Sequence, residues 1–138
     1  MAIGRVFPVV IVSVALSGCT SMPPPRFGPS CNAHECHVAV AIADCKISAV
    51  PDAIGIARGN GNVEMHWDIT TAGYAFSDEG IVFSDDPRRE FQNPRRPQPT
   101  KFMLNNKHSF AKDYKYTINI KASTTCPALT VDPWVVNE

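Results

Sequence analysis

Period two is the strongest constraint on this chain. Val63, Met65, Trp67 and Ile69 alternate with Glu64, His66, Asp68 and Thr70. Tyr114, Tyr116, Ile118 and Ile120 alternate in the same way with Lys115, Thr117, Asn119 and Lys121. Successive side chains of a strand point to opposite faces, so each run describes a half-buried strand. Val38, Val40 and Ile42 share one face and Ala39, Ala41, Ala43 and Cys45 the other, which predicts a central or sheet-covered strand. Shorter runs at 54–58, 101–104 and 131–137 complete the set, and Pro133 marks the last as an edge or a kink. Residues 74–76 and 81–83, with Ser77-Asp78-Glu79-Gly80 between them, predict a hairpin, and Gly59-Asn60-Gly61-Asn62 predicts a tight turn. No stretch carries the three-to-four-residue apolar spacing of an amphipathic helix.

Seven or eight short strands within about 100 residues predict an all-β fold, a small antiparallel β-sandwich. In architecture it is similar to immunoglobulin-like and cupredoxin-like extracellular modules. That likeness implies a fold and no activity. With 138 residues there is room for one core. The 13 basic and 13 acidic residues cancel, which argues against nucleic acid as the main partner.

The first eighteen residues read as an address. Arg5 is the one charge ahead of an eleven-residue apolar run at 6–16, too short to cross a bilayer as a helix. The run ends Leu16-Ser17-Gly18-Cys19, which resembles the lipobox of bacterial lipoproteins. That resemblance implies a signal peptide over 1–18, cleavage before Cys19, and acylation of the Cys19 sulfur and amino group. Several chains together give stable anchoring, at about 0.8 kcal/mol per buried methylene. Thr20, in place of Asp, implies sorting to the outer membrane if the source is Gram-negative. Four prolines in residues 20–30 predict an extended tether of roughly 34 Å, leaving 31–138 as the domain.

Four further cysteines, Cys31, Cys36, Cys45 and Cys126, suit two disulfides in an oxidising compartment. A Cys36–Cys45 bridge is disfavoured because the strand between them holds them apart. Cys31–Cys36 with Cys45–Cys126 is the preferred pairing, and Cys31–Cys45 with Cys36–Cys126 stays open.

Four groupings bear on chemistry. Cys31-x4-Cys36-His37 has some likeness to covalent haem attachment, but the usual spacing is C-x2-C-H and a helical shell is missing. Cys31, His34, Cys36 and His37 would make a cramped Cys2His2 metal set, and oxidation of the pair competes with it. Glu64, His66 and Asp68 share one strand face, which a solvated surface explains as well as a metal or general-base role does. No metal or other cofactor is therefore expected, with His34, His37 and His66 as the candidates should one bind. Blue copper is rejected, because no His or Met follows Cys126. Neither Ser-His-Asp, HExxH nor a phosphate-binding glycine loop is present, so no enzyme is indicated.

Residues 84–100 form a proline-rich segment that reads as a long loop. Its Arg88, Arg89, Arg95 and Arg96 suit an anionic partner, an envelope component or envelope protein, with Asp85, Asp86 and Glu90 partly offsetting them. The expectation is a lipid-anchored, non-catalytic binding or structural accessory of the outer membrane. Its rivals are a periplasmic metal-handling domain and an inhibitor of a lytic enzyme.

Overall fold

The computed structural model describes residues 31, 32 and 34–138, so the segments expected to be a signal peptide (1–18) and a tether (20–30), with Cys19 between them, lie outside the described residues. The described chain is all β. Its strands are β1 Glu35–Ala43, β2 Lys46–Val50, β3 Ala53–Ile56, β4 Val63–Ile69, β5 Phe76–Phe83, β6 Phe91–Gln98, β7 Lys101–Asn106, β8 Lys112–Ile120, β9 Leu129–Val131 and β10 Trp134–Asn137. One sheet runs β2-β1-β4-β7-β6 and the other β3-β10-β8-β5, with β9 also on β8.

The period-two runs supply both inner faces. Val38, Val40 and Ile42 of β1, Met65 and Trp67 of β4, and Leu104 of β7 meet Tyr114, Tyr116 and Ile118 of β8 and Ile54 and Ile56 of β3 in one core. Trp67 and Tyr116 pack edge to face across the sandwich at 5.5 Å, and Trp67 Nε1 donates to the Tyr116 hydroxyl at 3.1 Å. That bond satisfies the indole N–H away from water. Burial pushes the Tyr116 hydroxyl pKa far above its ordinary value.

Both disulfides follow the preferred pairing, Cys31–Cys36 and Cys45–Cys126. The second, with Cα atoms 5.5 Å apart, ties the β1–β2 turn of one sheet to the β8–β9 connection of the other.

Several local expectations are corrected. Among the described residues there are ten strands where seven or eight were expected, and the sheets are mixed, because β1–β4 and β3–β10 run parallel. After the β1–β2 hairpin the chain crosses to the other sheet as β3 and returns as β4, the long detour that parallel neighbours need. The first strand ends at Ala43, not Cys45. Asp44 and Cys45 both take left-handed φ (50° and 56°) and turn the chain into β2, whose existence the sequence did not signal. β1 is central, but its alanine face is open: Ala39 and Ala43 are exposed.

Residues 74–83 do not form a hairpin. Phe76 and Ile81 both pair with β8, opposite Ile120 and Ile118, so residues 77–80 bulge from a single strand. Gly80 is required there by close approach, since a Cβ would lie 2.9 Å from Phe102 and from Phe76. Residues 84–100 are not one loop either, for β6 occupies 91–98. Pro94 and Pro97 are tolerated because β6 is an edge strand with two register shifts against β7. The final run splits at Asp132-Pro133 into β9 and β10.

Acidic residues credited with offsetting the arginines serve the fold. The Asp86 carboxylate accepts the backbone N–H groups of Glu90 (2.8 Å) and Phe91 (3.0 Å). Glu90 is fully buried, and its carboxylate accepts the Ser109 N–H at 2.8 Å and the Ser109 hydroxyl at 2.6 Å. Burial alone would raise its pKa. The Ser109 bonds, the Lys107 charge and the Phe110 N–H outweigh that and hold it below the ordinary value.

Candidate functional site

The outward face of the first sheet brings together Glu35, His37, Glu64, His66, Asp68, Arg95 and Lys101. Alternation sets Val63, Met65, Trp67 and Ile69 inward and thereby turns Glu64, His66 and Asp68 outward. The same alternation on β1 buries Cys36 and Val38 and turns Glu35 and His37 outward. Because β1 and β4 are parallel and in register, Glu35 lies opposite Glu64 and His37 opposite His66. On the other side of β4, Asn105, Met103 and Lys101 of β7 lie opposite Glu64, His66 and Asp68.

Contacts within this face are specific. The His37 and His66 rings stack at 4.6 Å and 18°. Glu64 Oε1 lies 2.9 Å from His66 Nε2, while Glu64 Oε2 takes the Arg95 guanidinium. Glu35 Oε2 is 3.4 Å from His37 Nε2. Asp68 is paired with Lys101 at 2.7 Å. His66 Nε2 is buried, and no partner meets it in hydrogen-bonding geometry despite the nearby Glu64 oxygen. Glu35, Glu64 and His66 each offer a ligand atom, and these atoms lie within 4.8 Å of one another.

The cysteine-based groupings dissolve. Cys31 and Cys36 are bonded to each other, and Cys36 faces the core while His37 faces out. A Cys2His2 set and thiol attachment of haem are therefore both overturned. His34 is exposed and contributes its carbonyl to the Glu64 N–H at 2.8 Å.

Nor do the four arginines form one cluster. Arg95 joins the face just described, whereas Arg96 donates to the Phe76 carbonyl at 2.8 Å and pairs with Asp78 at 3.0 Å. Arg88 and Arg89 are exposed in the β5–β6 turn, with Arg88 4.0 Å over the Phe110 ring. A second surface, a cleft between the β2–β3 and β9–β10 connections, carries Val50 at 67% exposure and Trp134 at 36%.

Sequence reasoning found Glu64, His66 and Asp68 but missed Glu35 and Arg95 as their neighbours. One signal was readable. Glu35-Cys36-His37 and Glu64-Met65-His66 are two copies of Glu-x-His, each with its middle residue apolar. Only the parallel register places them side by side.

Fold and site together define a disulfide-stapled β-sandwich with a His- and Glu-bearing sheet face. Comparison with models of protein families and with curated proteins finds no match for the chain.

Proposed function

We propose that the protein is a lipid-anchored, non-catalytic module of the bacterial cell envelope. Cys19 carries the acyl chains, residues 20–30 are the tether, and the sandwich is held at the outer membrane as a binding or structural accessory. The observation that carries this reading is the cysteine pairing. All four domain cysteines are joined in disulfides, which suits an oxidising compartment, and the fifth, Cys19, closes the lipobox. The exposed turn with Arg88 and Arg89 is the part of the arginine segment left for an anionic envelope component.

Intact-mass measurement of the membrane-extracted protein tests the reading. The expected mass is that of a chain beginning at a triacylated Cys19, gaining four hydrogens on reduction. Cys19→Ala should release the protein from the membrane fraction. An unacylated protein, or free thiols before reduction, would overturn the proposal.

A further inference from the structure

We propose that the paired Glu-x-His triplets of β1 and β4 form a site for a borderline divalent transition metal, Zn²⁺ or Cu²⁺. His66 Nε2 and one carboxylate oxygen each from Glu35 and Glu64 are the ligands, and water completes the shell. This goes beyond the envelope reading and does not depend on it. It also reverses the expectation of no metal, because the register brings in Glu35 and His37 beside His66.

Three features carry the proposal. The three ligand atoms already lie within 4.8 Å of one another. Bonds of about 2.0–2.1 Å in a tetrahedral shell place ligands about 3.3 Å apart, so closing on a metal needs only side-chain adjustment. Next, His66 Nε2 is buried with Glu64 Oε1 2.9 Å away but outside hydrogen-bonding geometry, whereas buried polar atoms normally make a well-aligned bond. A metal on that nitrogen would satisfy it. Finally, the charges are unbalanced. Glu35 and Glu64 face each other in register, and Arg95 offsets one of the two negative charges. Asp68 on the same strand is matched by Lys101 and leaves nothing to balance.

The surroundings are those of an oriented site. Arg95 takes Glu64 Oε2 and leaves Oε1 turned toward His66. The stacked His37 ring sets the plane of the His66 ring. Such outer contacts fix ligand direction. The donors are imidazole and carboxylate, which suit Zn²⁺ and Cu²⁺. The neighbouring sulfurs are closed off in the Cys31–Cys36 disulfide, which disfavours a soft thiolate site. A purely oxygen-seeking ion would make no use of His66.

Calorimetric titration of the chelator-stripped, disulfide-intact protein with ZnCl2, and separately with CuSO4, in excess MgCl2 tests the site. One saturable equivalent is expected. His66→Gln and Glu64→Gln should each weaken binding by more than about tenfold, and Arg95→Ala by about tenfold through Glu64. His34→Ala should leave it unchanged. X-ray absorption of the loaded protein should show nitrogen and oxygen neighbours, including imidazole, and no sulfur. If a variant fails to fold, the wild-type protein still decides, since Zn²⁺ should shift the His66 ring resonances and spare those of His108. The proposal fails if binding is not saturable, is displaced by Mg²⁺, survives His66→Gln intact, or leaves the His66 resonances unmoved.

Discussion

Glu90 and the Glu35–Glu64 pair are carboxylates handled in opposite ways. Glu90 is fully buried, and both its oxygens accept bonds from Ser109, one from the N–H and one from the hydroxyl. Around Glu64 the bonding is unfinished: one oxygen is matched to Arg95, and the other faces a histidine nitrogen with which it forms no hydrogen bond. A buried ionised group persists where its partners are complete, and such a site has no capacity left for a ligand. An incomplete one, close to solvent, retains that capacity. Stability and metal affinity should therefore separate by location. Variants in the sandwich interior and its ties should lose stability and keep the metal, and variants on the outward face should do the reverse.

The largest effect should come from the tie between the sheets. Replacing Cys45 and Cys126 together by Ala opens a loop of 81 residues, for which chain entropy gives about 4 kcal/mol of lost stability. Denaturant unfolding measures this, and one Zn²⁺ equivalent should still bind under conditions where the variant is folded. Glu90→Gln comes next. It replaces two charge-assisted bonds by a neutral amide that cannot accept both donors, at a cost of about 1.5–3 kcal/mol. The pH dependence sharpens the point. The folded pKa of Glu90 lies below the ordinary 4.5, so its stabilisation is fully present above that value and is lost as pH falls through the folded pKa. Acid unfolding should show this loss in the wild-type protein, and a smaller loss in Glu90→Gln. Tyr116→Phe should follow at about 1–2 kcal/mol, because it strands the Trp67 N–H in the core.

Much of this division was legible in the residue order. The inward sets of β4 and β8 are the alternating runs themselves, and the strand that keeps Cys36 away from Cys45 argued against one of the three disulfide pairings, leaving the preferred one, which is found, and Cys31–Cys45 with Cys36–Cys126. Less legible were features set by long-range placement. Asp44 and Cys45 form a left-handed turn without glycine or asparagine, so β2 gave no signal. The prolines of β6 look like a loop until it is known that the strand lies at an edge. The bulge at 77–80 has turn chemistry, and only pairing on both sides with β8 shows that the chain does not reverse. The candidate site fell on the same boundary. Period two places Glu64 and His66 outward, but nothing local states that β1 runs parallel to β4 in the register that sets Glu35 and His37 beside them. Cys36 misdirected the reading of His37 for the same reason, since consecutive residues of a strand face opposite ways.

The smallest effect on stability, and the most discriminating, belongs to His66→Gln. Among the described residues, the one polar contact of the His66 ring is Glu64 Oε1 at 2.9 Å, outside hydrogen-bonding geometry, and the ring lies on the outward face, clear of the core formed by Trp67 and its neighbours. The loss of ring stacking with His37 is partly offset by a glutamine amide that can reach the Glu64 carboxylate. The metal-free variant should unfold within about 0.5 kcal/mol of wild type, as solvent-side substitutions usually do. Adding Zn²⁺ should then separate the two proteins, since a ligand that binds only the folded state stabilises it by about 2.7 kcal/mol at a hundred times its Kd. Thermal melts with and without Zn²⁺ measure both quantities on one sample. A wild-type shift that vanishes in His66→Gln ties the metal to the unsatisfied nitrogen. A large loss of metal-free stability would instead place His66 with Glu90, among the side chains that the fold itself requires.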